Sequence, residues 1–257
     1  MLYSIIFNIV LVFIILFLLI KYKKYKTKQN FSFPSPLKRI KLFDLDTAFE
    51  SNQFGATTKA LVQFIGRGNL DVLGATSDTE SWILAVLSKN SLNMFEFGTC
   101  TGRTTYLWAI NSPSDAKITT ITLNPNEVRS YKLEKSDDLL SSDTAIQESV
   151  FDNFLYDNKP ESYKVIQLFG DSKLFDETLY INMIDLIFID GSHAYSYIKS
   201  DTEKALKMLK VGGLIIWHDY RGTDECEDVY KFLNELSLKI PLMHIEGTSM
   251  VSYRKTQ

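Results

Sequence analysis

The chain has 257 residues, 45% of them hydrophobic and 13% aromatic, with 28 basic and 31 acidic side chains for a net charge of −3. That composition excludes a disordered or collagen-like chain, and the near-cancelling charge gives no electrostatic footprint for nucleic acid. With only Cys100 and Cys226 and no CxxC, a zinc ribbon is excluded as well, and a disulfide framework is disfavoured.

Residues 2–20 are apolar except for Ser4 and Asn8, and KYKKYKTK follows at 21–28. At 1.5 Å rise per residue such a run is just long enough for a bilayer core of roughly 30 Å. It has no basic segment ahead of it and no small-residue cleavage site behind it, which disfavours a signal peptide; being apolar on every face disfavours a core helix. The expectation is a transmembrane anchor over 1–20, with the lysines and the catalytic domain on the cytoplasmic side. Residues 21–45, basic and containing Pro34 and Pro36, read as a linker, and the domain proper as 46–257.

Ala60, Leu61, Phe64 and Ile65 fall at helical spacing, as do Trp82, Ile83, Val86 and Leu87. Ser77 with Glu80 three residues on makes a capping box for the second helix. From residue 93 the rhythm changes. Short apolar runs at 94–97, 118–123, 164–169, 184–189 and 214–217 alternate with helix candidates after Thr104, around 146–155, at 173–180 and at 197–209. Strands apolar on both faces, alternating with helices, predict a mainly parallel sheet covered on both sides. A helix bearing Val229, Phe232, Leu233 and Leu236 then leads into PLMHIEG and TSMVSYR, which predict an antiparallel hairpin. The fold expected is α/β: a Rossmann-like doubly wound sheet of five parallel strands plus the hairpin, with the sheet core over about 92–255.

In such a sheet, ligands bind beyond the carboxyl ends of the strands. The first strand ends in FEFGTCTGRTT (95–105), where Gly98 and Gly102 bracket a strand-to-helix turn; plain turn geometry is as good a reading as ligand approach. Glu96, an acid inside an apolar strand, needs a donor or a cation. Asn124 stands after the second strand, where a ribose is usually met, but offers one acceptor oxygen and no charge. Asp171 after the third suits either an adenine amine or a helix N-cap. Asp190, His193, His218 and Asp219 gather at the ends of the fourth and fifth, a set that suits a hard divalent cation with a general base beside it. His244, in the hairpin, reads as structural, and Cys100 as a small packing residue.

FEFGTCTGRTT, GDS, FIDGSHAY, GGLIIWHDY and HIEGTS, in this order, resemble the class I S-adenosylmethionine-dependent methyltransferases. More narrowly they are similar to the small-molecule O-methyltransferases of the catechol and macrocin type, over roughly residues 78–255. The resemblance implies that Glu96, Gly98, Thr99 and Gly102 hold the methionine part of the cofactor S-adenosylmethionine, with Asn124 at its ribose, Asp171 at its adenine and Asp190 also at the cofactor. It implies a metal set of Asp190, His218 and Asp219 for Mg²⁺ or another divalent cation, and His193 or His218 as the base. The family commonly has an acid at the ribose position and Asp-Asp or Asp-Asn where this chain has His-Asp. The function expected is methylation of a hydroxyl on a small-molecule or glycan acceptor, with acceptor walls from 46–80 and 128–160, and a homo-oligomer is compatible with it. The competing expectations are a same-fold enzyme performing hydroxylation, and a non-catalytic scaffold on a membrane stem.

Overall fold

The computed structural model describes residues 2–29, 35–58, 60–66, 74, 76–126, 131–135, 137, 139–223 and 225–257; at 2–6, 9, 23–29 and 139–143 only the backbone is described. Residues 1–35 and 36–257 form separate units.

The first unit is the helix α1 (Leu2–Gln29). Among the described residues no helix is long and apolar enough to cross a membrane. The expected transmembrane anchor over 1–20, the membrane as partner and the single-pass placement with a cytoplasmic catalytic domain are therefore withdrawn. The side chains of Lys23, Lys24, Lys26 and Lys28, read as flanking that anchor, lie outside the described residues.

The second unit runs β1 (Lys38–Ile40), α2 (Leu42–Leu45), β2 (Phe49–Asn52), β3 (Gly55–Thr58), α3 (Asp78–Ser88), β4 (Asn93–Phe97), α4 (Arg103–Asn111), β5 (Lys117–Thr122), α5 (Leu139–Glu148), β6 (Val165–Phe169), β7 (Ile184–Ile189), α6 (Tyr195–Met208), β8 (Leu209–Trp217), α7 (Glu227–Ser237), β9 (Met243–Ile245) and β10 (Val251–Arg254). Eight strands form one sheet in the order β1-β9-β10-β8-β7-β4-β5-β6. The five predicted strands β4 to β8 are mutually parallel, and β9 and β10 pair antiparallel. β10 also lies antiparallel to β8, so the last strand of the chain sits inside the sheet.

Several segments differ from the sequence expectation. The helix candidate around 146–155 is met only by the end of α5, which stops at Glu148, and the one at 173–180 gives two 3-10 turns, Ser172–Leu174 and Thr178–Tyr180. Lys38–Ile40, within the stretch read as linker, pairs in parallel with β9 and extends the sheet. Residues 61–66 are not helical. Their backbone groups are taken by side chains instead: Asn111 exchanges two 2.8 Å hydrogen bonds with Gln63, and Arg103 donates to the Ile65 carbonyl. Such bonds satisfy the peptide groups that a helix would otherwise pair.

The core forms where the apolar strands meet α3 and α4. Met94, Leu186 and Phe188 on the central strands are buried there, as are Ile83, Leu84 and Trp108 on the helices. Each such side chain contributes roughly 1.5–3 kcal/mol on burial. This holds β4 and β7 side by side, so the loops after Phe97 and Ile189 open at the same edge of the sheet.

Candidate active site

The β4–α4 turn is built by close backbone approach. Gly98 has φ +99°, and a Cβ there would lie 2.2 Å from the Asp190 carbonyl oxygen. Cys100, at φ +46°, takes the left-handed conformation at a cost glycine would not incur. Its thiol is pushed up to about 12, by burial first and then by the Glu148 carboxylate, which fits a packing residue rather than a nucleophile.

Behind the turn, Glu96 accepts hydrogen bonds from the Thr105 and Thr120 hydroxyls. Burial pushes it up to about 8, against the pull of those two threonines. Thr99 belongs to the same knot, 2.7 Å from the Thr120 hydroxyl and accepting from Gln167. Glu96 and Thr99 thus brace the turn, and Gly102 packs against the ring of Tyr156. Of the four residues expected at the methionine part, only Gly98 lines the adjoining cavity.

That cavity extends along the strand ends from Gly98 and Asp190, past Thr122 and Leu123, to Gly170 and Ser172, where Tyr197 and Asp201 of α6 close it. Tyr131 stacks on Tyr197, with ring centroids 4.5 Å apart. Asn124 lies off its wall, its Oδ1 accepting from the Asn126 amide in a local turn. Asp171 is also off the wall: one oxygen accepts from the Lys173 amide and the other from the Tyr197 hydroxyl. The cap expected from the sequence is formed.

A second cavity, of about 340 Å³, shares Cys100, Glu148 and Asp190 with the first. Here Asp190, His193, His218 and Asp219 come together as the sequence predicts. His193 Nε2 is 2.8 Å from Asp219 Oδ2. His218 Nδ1 is 2.9 Å from Asp190 Oδ1 and 3.3 Å from Asp219 Oδ2, while its Nε2 faces Glu80 Oε2 at 3.3 Å. Burial opposes charge on both imidazoles, but the neighbouring carboxylates outweigh it and raise both well above the usual histidine range. Burial likewise opposes ionisation of Asp219, yet the two histidines hold it well below the carboxylate range. Asp219 has φ +58°, a strained conformation for a non-glycine residue, which turns its carboxylate between the two rings.

Sequence reasoning missed four contributors. Glu80, read only as a helix cap, also accepts from the Ser249 amide and hydroxyl and backs His218. Arg221 places Nε 2.8 Å from Asp219 Oδ1, and its position just after WHDY was the available signal. Glu148, on α5, is pushed up to about 7 by burial and by Asp190, partly offset by His193. Cys226 adjoins His193 in the same wall. The expected wall segments contribute Gly74, Thr144 and Glu148. His244 donates from Nε2 to the Thr248 carbonyl, consistent with a structural role.

The donor atoms of Asp190, His218 and Asp219 lie within 4.8 Å of one another. With Nδ1 toward the two aspartates and Nε2 against Glu80, His218 has the arrangement of metal-bound histidines whose far N–H donates to a carboxylate. This donor set fits a divalent cation.

Residues 95–220 match the family model for a methyltransferase domain. None of the curated proteins compared matches the chain. Among solved structures, a protein from Corynebacterium glutamicum aligns with a TM-score of 0.50 at 13% identity, over 71% of this chain and 83% of that one. The SAH-bound methyltransferase PaMTH1 of Podospora anserina aligns at 0.48 and 16%, over 72% and 81%. The O-methyltransferase TomG of Streptomyces achromogenes, in complex with SAM, aligns at 0.46 and 16%, over 72% and 82%. The first is a likeness of fold, and the other two are too loose to argue from. The matched segment spans the glycine turn, the wall of the elongated cavity and both Asp-His pairs, and it is a methyltransferase domain of the S-adenosylmethionine-dependent kind.

Proposed function

We propose that this enzyme methylates a hydroxyl of a small polar acceptor, with His193 as the base. The observation that carries the reading is the His193–Asp219 pair in a cavity that shares Asp190 with the cofactor cavity. Asp219 accepts the Nε2 proton and orients the ring; because the same carboxylate holds His193 above the usual histidine range, the neutral form that takes the acceptor's proton grows in as pH rises through that raised pKa. The acceptor oxygen attacks the sulfonium methyl in line. The C–O bond forms as the C–S pair returns to sulfur, S-adenosylhomocysteine leaves, and the acceptor's proton goes to His193.

His218, held on both ring nitrogens by carboxylates, is a poorer base and serves to position Asp190 and Asp219. Asp190, His218 and Asp219 would hold a divalent cation, which when bound lowers the pKa of a coordinated hydroxyl. Among the described residues, the polar cavity has no aliphatic or aromatic hydrocarbon side chain in its wall. That lining suits a hydroxyl-rich acceptor such as a sugar better than a flat aromatic one.

The test is to incubate the full chain with S-adenosylmethionine, divalent ions and a panel of hydroxylated acceptors, reading product mass. A product heavier by one methylene, together with S-adenosylhomocysteine, supports the reading; one heavier by an oxygen supports hydroxylation instead. His193→Ala is expected to lower kcat by about 10²–10⁴-fold while leaving cofactor affinity within a few-fold. Unchanged turnover would remove His193 from the mechanism.

A further inference from the structure

Asp201 projects from α6 one turn beyond Tyr197 and lines the elongated cavity beside Ser172 and Gly170. It is only 2% exposed. The Ser172 hydroxyl bonds its carboxyl group, yet Oδ1 has no partner among the described residues. The nearby cations are engaged elsewhere: Lys204 donates to the Lys173 and Phe175 carbonyls, and Lys173 to the Ser196 hydroxyl. A buried acceptor without a donor is costly, and in native proteins such an atom calls for an explanation.

The elongated cavity belongs to the cofactor, whose adenine carries an exocyclic amine able to supply the missing donor. Asp171, the residue expected to receive that amine, stands off the cavity wall, and its oxygens already accept from the Lys173 amide and the Tyr197 hydroxyl. We propose that Asp201, rather than Asp171, reads the adenine amine of S-adenosylmethionine, with Oδ1 accepting one of its N–H groups. Tyr197 carries the arrangement: it ties Asp171 to α6 and so holds the Gly170–Ser172 segment beside Asp201. The inference rests on the cofactor and is independent of the acceptor and the base.

The test compares S-adenosylhomocysteine with S-inosylhomocysteine, in which the amine is replaced by a carbonyl oxygen, titrated by calorimetry into the full chain at a pH of about 8. The wild type is expected to favour the adenine form by about tenfold or more, because two acceptors would otherwise face each other. Asp201→Asn, whose amide can turn an N–H toward the carbonyl, is expected to lose or invert that preference. Asp201→Ala should bring the ratio near unity, and Asp171→Ala should preserve it. A wild-type ratio kept by both Asp201 variants, or lost only in Asp171→Ala, overturns the proposal. If Asp201→Ala fails to fold, the near-isosteric Asp201→Asn decides alone. If folded wild-type protein binds neither ligand, the cofactor assignment fails and this inference with it; a preserved assignment with an unchanged ratio sinks the inference only.

Discussion

Glu96 and Asp219 are both buried carboxylates, and their surroundings push them in opposite directions. Glu96 meets only threonine hydroxyls, so burial dominates and its pKa rises to about 8; Asp219 meets two imidazoles and stays ionised. For Glu96 the folded state holds a proton that the unfolded chain gives up near 4.5. Stability therefore falls as pH rises across the window from 4.5 to about 8. Glu96→Gln keeps a neutral side chain of the same shape and is expected to flatten that slope, read as Tm against pH. An unchanged slope would mean that Glu96 is ionised in the folded protein. The oppositely signed behaviour of the two acids was not legible in the sequence, where Glu96 is an acid inside a strand and Asp219 one just beyond a strand, with the partners of neither specified.

At the scale of elements, α3 shows how a local signal can conceal a distant role. The capping box of Ser77 and Glu80 forms as the sequence predicts, with Glu80 Oε2 accepting from the Ser77 amide and Ser77 Oγ from the Glu80 amide. The same carboxylate binds Ser249 near the C-terminus and His218 after β8, partners that no spacing around residue 80 reveals. Ser77→Ala removes only a cap and should cost about 1 kcal/mol. Glu80→Ala leaves the Ser249 amide and a buried imidazole unpaired, and should cost about 3 kcal/mol or more. Urea denaturation of the two variants checks this; equal losses would reduce Glu80 to a helix cap. The contrast with 61–66 is instructive. Helical spacing there is as good as in α3, but the side chains of Asn111 and Arg103 capture the backbone instead.

At the scale of the whole molecule, the sheet is closed by its latest segment. β10 lies between β8 and β9, and β1 joins only through β9. Arg254 at its end donates to the Leu45 carbonyl at 2.8 Å and pairs with Asp46, tying the C-terminus to the start of the domain. Deleting residues 251–257 should therefore strand β9 and β1 and expose the β8 edge. Loss of a single cooperative unfolding transition, followed by circular dichroism, is the expected result; an intact transition would mean that β1 and β9 are held by the helices alone.

The sequence by itself determined the five parallel strands, the antiparallel ending, the glycine turn and the meeting of Asp190 with His193, His218 and Asp219. Each of these follows from short-range pattern: apolar runs must be buried strands, and residues at the ends of adjacent parallel strands must be neighbours. Only the tertiary structure decided that Glu96 and Thr99 brace the turn, that Asp171 accepts from Tyr197, and that Glu80 and Glu148 join the site from distant helices. Which oxygen finds which donor depends on packing between segments more than a hundred residues apart, such as Glu80 and Ser249, and the order of residues along the chain does not encode that pairing locally.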